Sequence, residues 1–135
     1  MADFATALRA RLIADAAVSA VTTRFHWGIV PQGKSLPYAR LQTISDVRPE
    51  HLKGYDAARV TRVQVDCFAG SYSTARSLAE AVIAATATPG VTSGIHFGRI
   101  KAEGPRDLGE DVEGVGYVHR ASLDLLVEHK LATGV

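Results

Sequence analysis

The 135 residues predict an α+β fold: an antiparallel sheet of about four to five strands with two helices packed on one face, in the order α-β-β-β-α-β-β. Three observations carry this. Apolar residues recur at helical spacing near the start and again from Tyr72 to Ile83. Alternation with a period of two runs from Arg59 to Ala69, although Val60 and Phe68 share its polar parity, and from Tyr117 to His129. The connections between strand blocks are too short for buried crossovers, which favours antiparallel pairing with helices on one side.

Taken in order, Asp3 is an N-cap candidate for a first helix whose stripe is Phe4, Ala7, Leu8, Arg11 and Leu12, with Ala16 to Ala20 adding a short further turn. Arg24 to Val30 is rich in aromatic and β-branched residues and reads as a strand, and Pro31 to Pro37 as the loop after it. From Tyr38 to Val47 the alternation puts Ala39, Leu41, Thr43, Ser45 and Val47 on one face and Tyr38, Arg40, Gln42, Ile44 and Asp46 on the other. In the Arg59 to Ala69 strand, Val63, Val65, Cys67 and Ala69 oppose Arg62, Gln64 and Asp66. A second helix carries Tyr72, Ala75, Leu78, Ala79, Val82 and Ile83 and is closed by Pro89-Gly90. Ile95 to Lys101 is a weaker strand. In the last strand Tyr117, Ala121, Leu123, Leu125 and Val127 face one way, opposed to Arg120, Ser122, Asp124 and Glu128. The length suits one domain over residues 1–135.

Composition narrows the function. Twenty-one alanines supply much of the apolar share, so the core is thin. A net charge of +1 argues against a protein that holds nucleic acid mainly through charge. The single cysteine, Cys67, sits at an inward position and reads as packing in a reducing compartment. The first residues lack an apolar run of signal-peptide length, and no stretch approaches the roughly eighteen apolar residues of a membrane span. A soluble chain made in the cytoplasm, with no membrane partner, is expected.

No phosphate-binding loop, dinucleotide turn or HExxH pair is present, and the five histidines are scattered singly. No cofactor, metal site or catalytic residue is therefore expected. His119, Ser122 and Asp124 resemble a triad in composition only, because alternation sends His119 to the opposite face. Glu110, Asp111 and Glu113 could serve acid/base work or hold a hard cation, although a solvated acidic loop explains them as well.

Two segments read as long loops: Asp46 to Ala57 and Ala102 to Val115. Such loops often carry function. In the first, Arg48, Glu50, Leu52, Lys53 and Tyr55 belong to an arm left neutral by Arg48, Lys53, Arg59 and Arg62 interleaved with Asp46, Glu50, Asp56 and Asp66, with Leu52 and Tyr55 as its apolar tip. In the second, Arg106, Asp107, Glu110, Asp111 and Glu113 belong to an acidic stretch: five acids stand between Glu103 and Glu113 against one arginine. Charge segregated in this way suits head-to-tail contact between copies. These ten residues are the candidate interface. A module binding a small ligand or nucleic acid is the alternative, with Trp27, Tyr38 and Tyr55 as stacking surfaces.

His26 to Ser45, Ala58 to Ala85 and Pro105 to His129 together resemble the small tail-completion, or tail-terminator, proteins of long-tailed phages and gene transfer agents. The most specific pieces are Gly28, Pro31-Gln32-Gly33, Leu36-Pro37-Tyr38, the Val63-Gln64-Val65-Asp66 strand before an alanine-rich helix, and Arg106-Asp107. Leu125-Leu126 departs from the larger aromatic or charged residues expected there. The resemblance implies a structural, non-enzymatic protein of the virion or particle tail, made in the bacterial host. It implies a homo-oligomeric ring, hexameric, that caps the tail tube, stops its polymerisation and meets the head connector. Its partners would be further copies of itself, the major tail tube protein and the connector or stopper, with DNA passing through the lumen without specific binding.

Overall fold

In the computed structural model, which describes residues 3–31, 35–47, 50–51, 54–55 and 59–132, Asp3 caps the first helix. Its carboxylate accepts from the Thr6 backbone N–H at 3.0 Å and the Thr6 hydroxyl at 2.7 Å, opening α1 (Phe4–Ala14). Asp15 adopts an extended conformation, ends α1 and caps a separate helix, α2 (Ala16–Val21), so the expected extra turn is an element of its own. Ser71 caps α3 (Tyr72–Ala85), which buries Ala75, Leu78, Ala79 and Val82 as its stripe requires. Arg11 reaches from α1 to the far end of α3: its Nε donates to the Ala85 carbonyl at 3.3 Å, its Nη2 donates to the Thr88 carbonyl, and its guanidinium lies 5.3 Å from the Phe97 ring centre.

The strands are β1 (Phe25–Trp27), β2 (Tyr38–Val47), β3 (Glu50–His51), β4 (Gly54–Tyr55), β5 (Arg59–Ala69), β6 (Gly90–Thr92), β7 (Ile95–Val112) and β8 (Gly116–Leu131). Six of them form one sheet in the order β1-β2-β5-β8-β7-β6, while β3 and β4 pair as a small ribbon. Leu8, Leu12, Val18, Leu78 and Val82 from the helices pack against Leu41, Val63, Val65, Leu123, Leu125 and Phe97 of the sheet, all fully shielded. Each such side chain contributes roughly 1.5–3 kcal/mol of hydrophobic stabilisation. The class is α+β as expected, with three helices and more strands than the sequence suggested.

Three details depart from expectation. First, β1 pairs with β2 in parallel, not antiparallel. The cause is local: the Thr22 hydroxyl donates to the Pro37 carbonyl at 2.9 Å, and Arg24 Nε donates to the Ser35 and Pro37 carbonyls at 3.0 and 3.2 Å. These bonds draw the chain back to the start of β1, so β2 begins beside Phe25.

Second, the register shifts between Thr43 and Ser45, setting Ser45 opposite Arg62 and Asp46 opposite Thr61. This bulge reverses the alternation, so Asp46 leaves the face of Arg40 and Gln42. Its Oδ1 instead accepts from the Thr61 hydroxyl at 2.9 Å, on the side of the sheet that carries the core.

Third, Ala102 to Val115 is not a loop. β7 runs to Val112 and pairs with β8 almost to the turn at residues 113–115. Gly104, at φ +103°, and Pro105 fall where the register shifts between Glu103 and Arg106. The bulge absorbs the proline that has no N–H to give the ladder.

Candidate functional site

The helices cover one face of the sheet and leave the other open and polar. On that open face the cross-strand rows read Tyr38-Phe68-Arg120-Leu108, Arg40-Asp66-Ser122-Arg106 and Gln42-Gln64-Asp124-Glu103. At the centre lies Asp66, its side chain fully shielded from water. Arg40 Nη2 donates to it at 2.8 Å, Arg120 Nη2 and Nε at 3.0 and 3.1 Å, and Gln64 Nε2 at 3.1 Å. Burial pushes the Asp66 carboxyl upward. Hydrogen bonds from Arg40, Ser122 and Gln64 and the charge of Arg120 outweigh it and hold the group below the usual carboxylate range.

A second cluster adjoins the first. Arg62 Nη1 donates to Asp124 Oδ2 at 2.7 Å and to Glu103 Oε1 at 2.9 Å, and this hydrogen bond holds the Glu103 carboxyl below the usual carboxylate range. Arg106 donates to the Ser122 hydroxyl at 3.3 Å and stands 3.7 Å from Asp124. Each carboxylate of these three rows, Asp66, Asp124 and Glu103, meets a guanidinium, which leaves engaged arginines there.

The ends of β7 and β8 run beyond the helix layer as a hairpin. Between this hairpin and the start of α3 lies a cleft of about 390 Å³ lined by Tyr72, Arg76, Asp107, Gly109, Tyr117 and His119. Asp107 accepts from the Tyr72 hydroxyl at 3.2 Å and from Arg76 Nη1 at 3.3 Å. His119 makes edge contacts with Tyr72 and Tyr117 and has no path to Ser122, as alternation requires. Leu108, Val112, Val115 and Tyr117 are exposed on the hairpin.

Of the ten interface candidates, Arg48, Leu52 and Lys53 lie outside the described residues. Glu50 stands opposite Tyr55 in the β3–β4 ribbon. Arg106 and Asp107 are neighbours on β7 and so join different clusters, one on the open face and one in the cleft. Glu110 pairs with Val118 and Asp111 with Tyr117, so these two carboxylates also point to opposite faces and cannot share one substrate. Glu113 sits in the turn.

Among the described residues no group of three His, Cys, Asp or Glu side chains could hold a metal ion. The Cys67 thiol is buried, and burial, then the nearby Asp66 charge, push its pKa far up. Trp27 and Tyr38 are engaged within the chain: Trp27 Nε1 donates to the Ala5 carbonyl at 2.9 Å, and Tyr38 stacks on Phe68 at 4.9 Å.

Sequence reasoning missed the Asp66 cluster. The signal was there as polar residues at alternate positions of two strands, but which arginines meet Asp66 depends on the pairing of β2, β5 and β8.

The fold has a counterpart among solved structures. A chain of the virion of a native gene transfer agent particle superposes with a TM-score of 0.64 at 21% identity, covering 95% of this chain and 93% of that one. Among curated proteins no sequence matches. The family model described as "Tail completion protein gp17" matches residues 6–127. Matched over nearly its whole length, the chain belongs to this tail-completion family and is a structural component of the virion tail.

Proposed function

We propose that copies of this chain close into a hexameric ring that caps the tail tube, ends its polymerisation and presents a surface to the head connector. The family match over residues 6–127 carries the reading. The likeness to a chain of a gene transfer agent virion supports it. An open tube exposes self-complementary edges, and a ring that fits them on one side only ends growth by occupying the site.

The chain acts by docking, with no bond made or broken. The open face, where Arg40, Arg62 and Arg120 are each held by a carboxylate, suits a lumen through which DNA slides without adhering. The acidic hairpin and the segment 46–57 are the contacts to neighbours and tube.

Light scattering and negative-stain imaging of the purified chain, with and without tail tubes, test this. Rings and tubes of bounded length are expected. A monomer at every concentration that leaves tube growth unchecked overturns the reading.

A further inference from the structure

The two lateral ends of the sheet carry opposite charge. Residues 107–118 hold four acids and no lysine or arginine, whereas residues 16–45 hold three cations and no acid. Among the described residues the carboxylates of Glu110, Asp111 and Glu113 have no cationic partner. Beside β1, Arg9 Nε donates to the Phe25 carbonyl at 2.8 Å and Arg24 to the carbonyls of residues 35–37. Both guanidiniums therefore keep an uncompensated positive charge.

Phe25, Ala39, Cys67, Ala121 and Asp107 form one row across five strands. Arg24 and the hairpin thus lie at the same end of the strands but at opposite sides of the sheet. One chain cannot bring them together. A second copy related by rotation can, and a head-to-tail contact of this kind closes into a ring where the rotation closes.

We propose that the acidic hairpin of each copy docks on the β1 side of the next, setting Glu110, Asp111 and Glu113 against Arg9 and Arg24. The proposal rests on the ring reading and names its subunit contact. Charge complementarity selects a second copy as the occupant, and a two-stranded hairpin projecting alone gains stability from that contact.

Two charge-reversed variants test it. One carries Glu110→Lys, Asp111→Lys and Glu113→Lys; the other carries Arg9→Glu and leaves Arg24, which holds the loop before β2, in place. Each alone should associate at least about tenfold more weakly than wild type, because like charges then meet at every contact. An equimolar mixture should restore the wild-type mass, since in an alternating ring the reversed hairpin meets the reversed edge. Circular dichroism verifies that both variants fold.

If wild type forms rings and either folded variant does so with unchanged affinity, or the mixture stays dissociated, this contact is wrong and the ring reading stands. If wild type itself is monomeric with and without tubes, the ring reading falls and the contact with it.

Discussion

Tyr117 lies across Gly109: a Cβ at residue 109 would come within 2.7 Å of the Tyr117 hydroxyl, 2.9 Å of its ring and 2.8 Å of the Val118 carbonyl. The glycine lets the tyrosine cross the neighbouring strand and meet His119, which stiffens the base of the hairpin. Gly109→Ala must displace both the ring and backbone. The expected cost is about 1–3 kcal/mol in thermal unfolding, with faster amide exchange confined to the hairpin. Unchanged exchange there would show that the contact does not hold the hairpin.

Asp66 bridges two arginines from neighbouring strands, so Asp66→Ala leaves both without their carboxylate. The loss should be about 3 kcal/mol, at the lower end for a broken buried pair because Arg40 and Arg120 keep 31% and 29% of their side chains exposed. The folded carboxyl is held below its unfolded value, so its contribution is complete above about pH 4 and disappears as the pH falls through the lowered value. Denaturant titrations from pH 6 to pH 2 should show this acid limb flattened in Asp66→Asn.

His129 is the second source of pH dependence. The Thr61 hydroxyl gives its proton to Asp46, so it accepts from His129 Nε2 at 2.8 Å, and the neutral ring carries its proton on Nε2 while stacking on Phe4 at 3.9 Å. Burial, then the Arg59 charge, lower the pKa, against an opposing pull from Asp46. The unfolded chain therefore takes up the proton first, and stability falls as the pH drops below about 6.5. His129→Gln keeps a donor near Nε2 but does not titrate. It should remove this part of the slope between pH 7 and pH 5.

Arg11 ties α1 to the C-terminal end of α3 and rests on Phe97. Arg11→Met retains much of the apolar stem and loses the carbonyl bonds, so an expected cost of about 1–2 kcal/mol in chemical denaturation separates the polar from the packing role. No change on substitution would mean that solvent satisfies the Ala85 and Thr88 carbonyls equally well.

The elements that could be read from the chain are those whose signal is local. The α3 stripe and the inward Val63, Val65 and Cys67 of β5 occur as spacing dictates. β7 could not be read beyond Lys101, because Gly104-Pro105 and five nearby acids are loop chemistry, and the ladder that overrides them comes from β8. The direction of β1 rests on side chains of Thr22 and Arg24 that reach over the loop, which alternation does not encode. For the interface, the acidic segment was visible as charge, but its form as a rigid hairpin was not. Asp66 looked like an ordinary outward residue of a half-covered strand, and its burial depends on arginines from β2 and β8.

β8 is the last strand in chain order, yet it lies at the middle of the sheet between β5 and β7. During synthesis β5 therefore emerges with one flank bare, and the greasy side of Val63 and Val65 stays only partly roofed until β8 follows. Pairing over so wide a gap in sequence is slow. Nascent chains are exposed to mispairing with one another during that interval, so a cell producing this protein in quantity has reason to couple its translation to a holding chaperone.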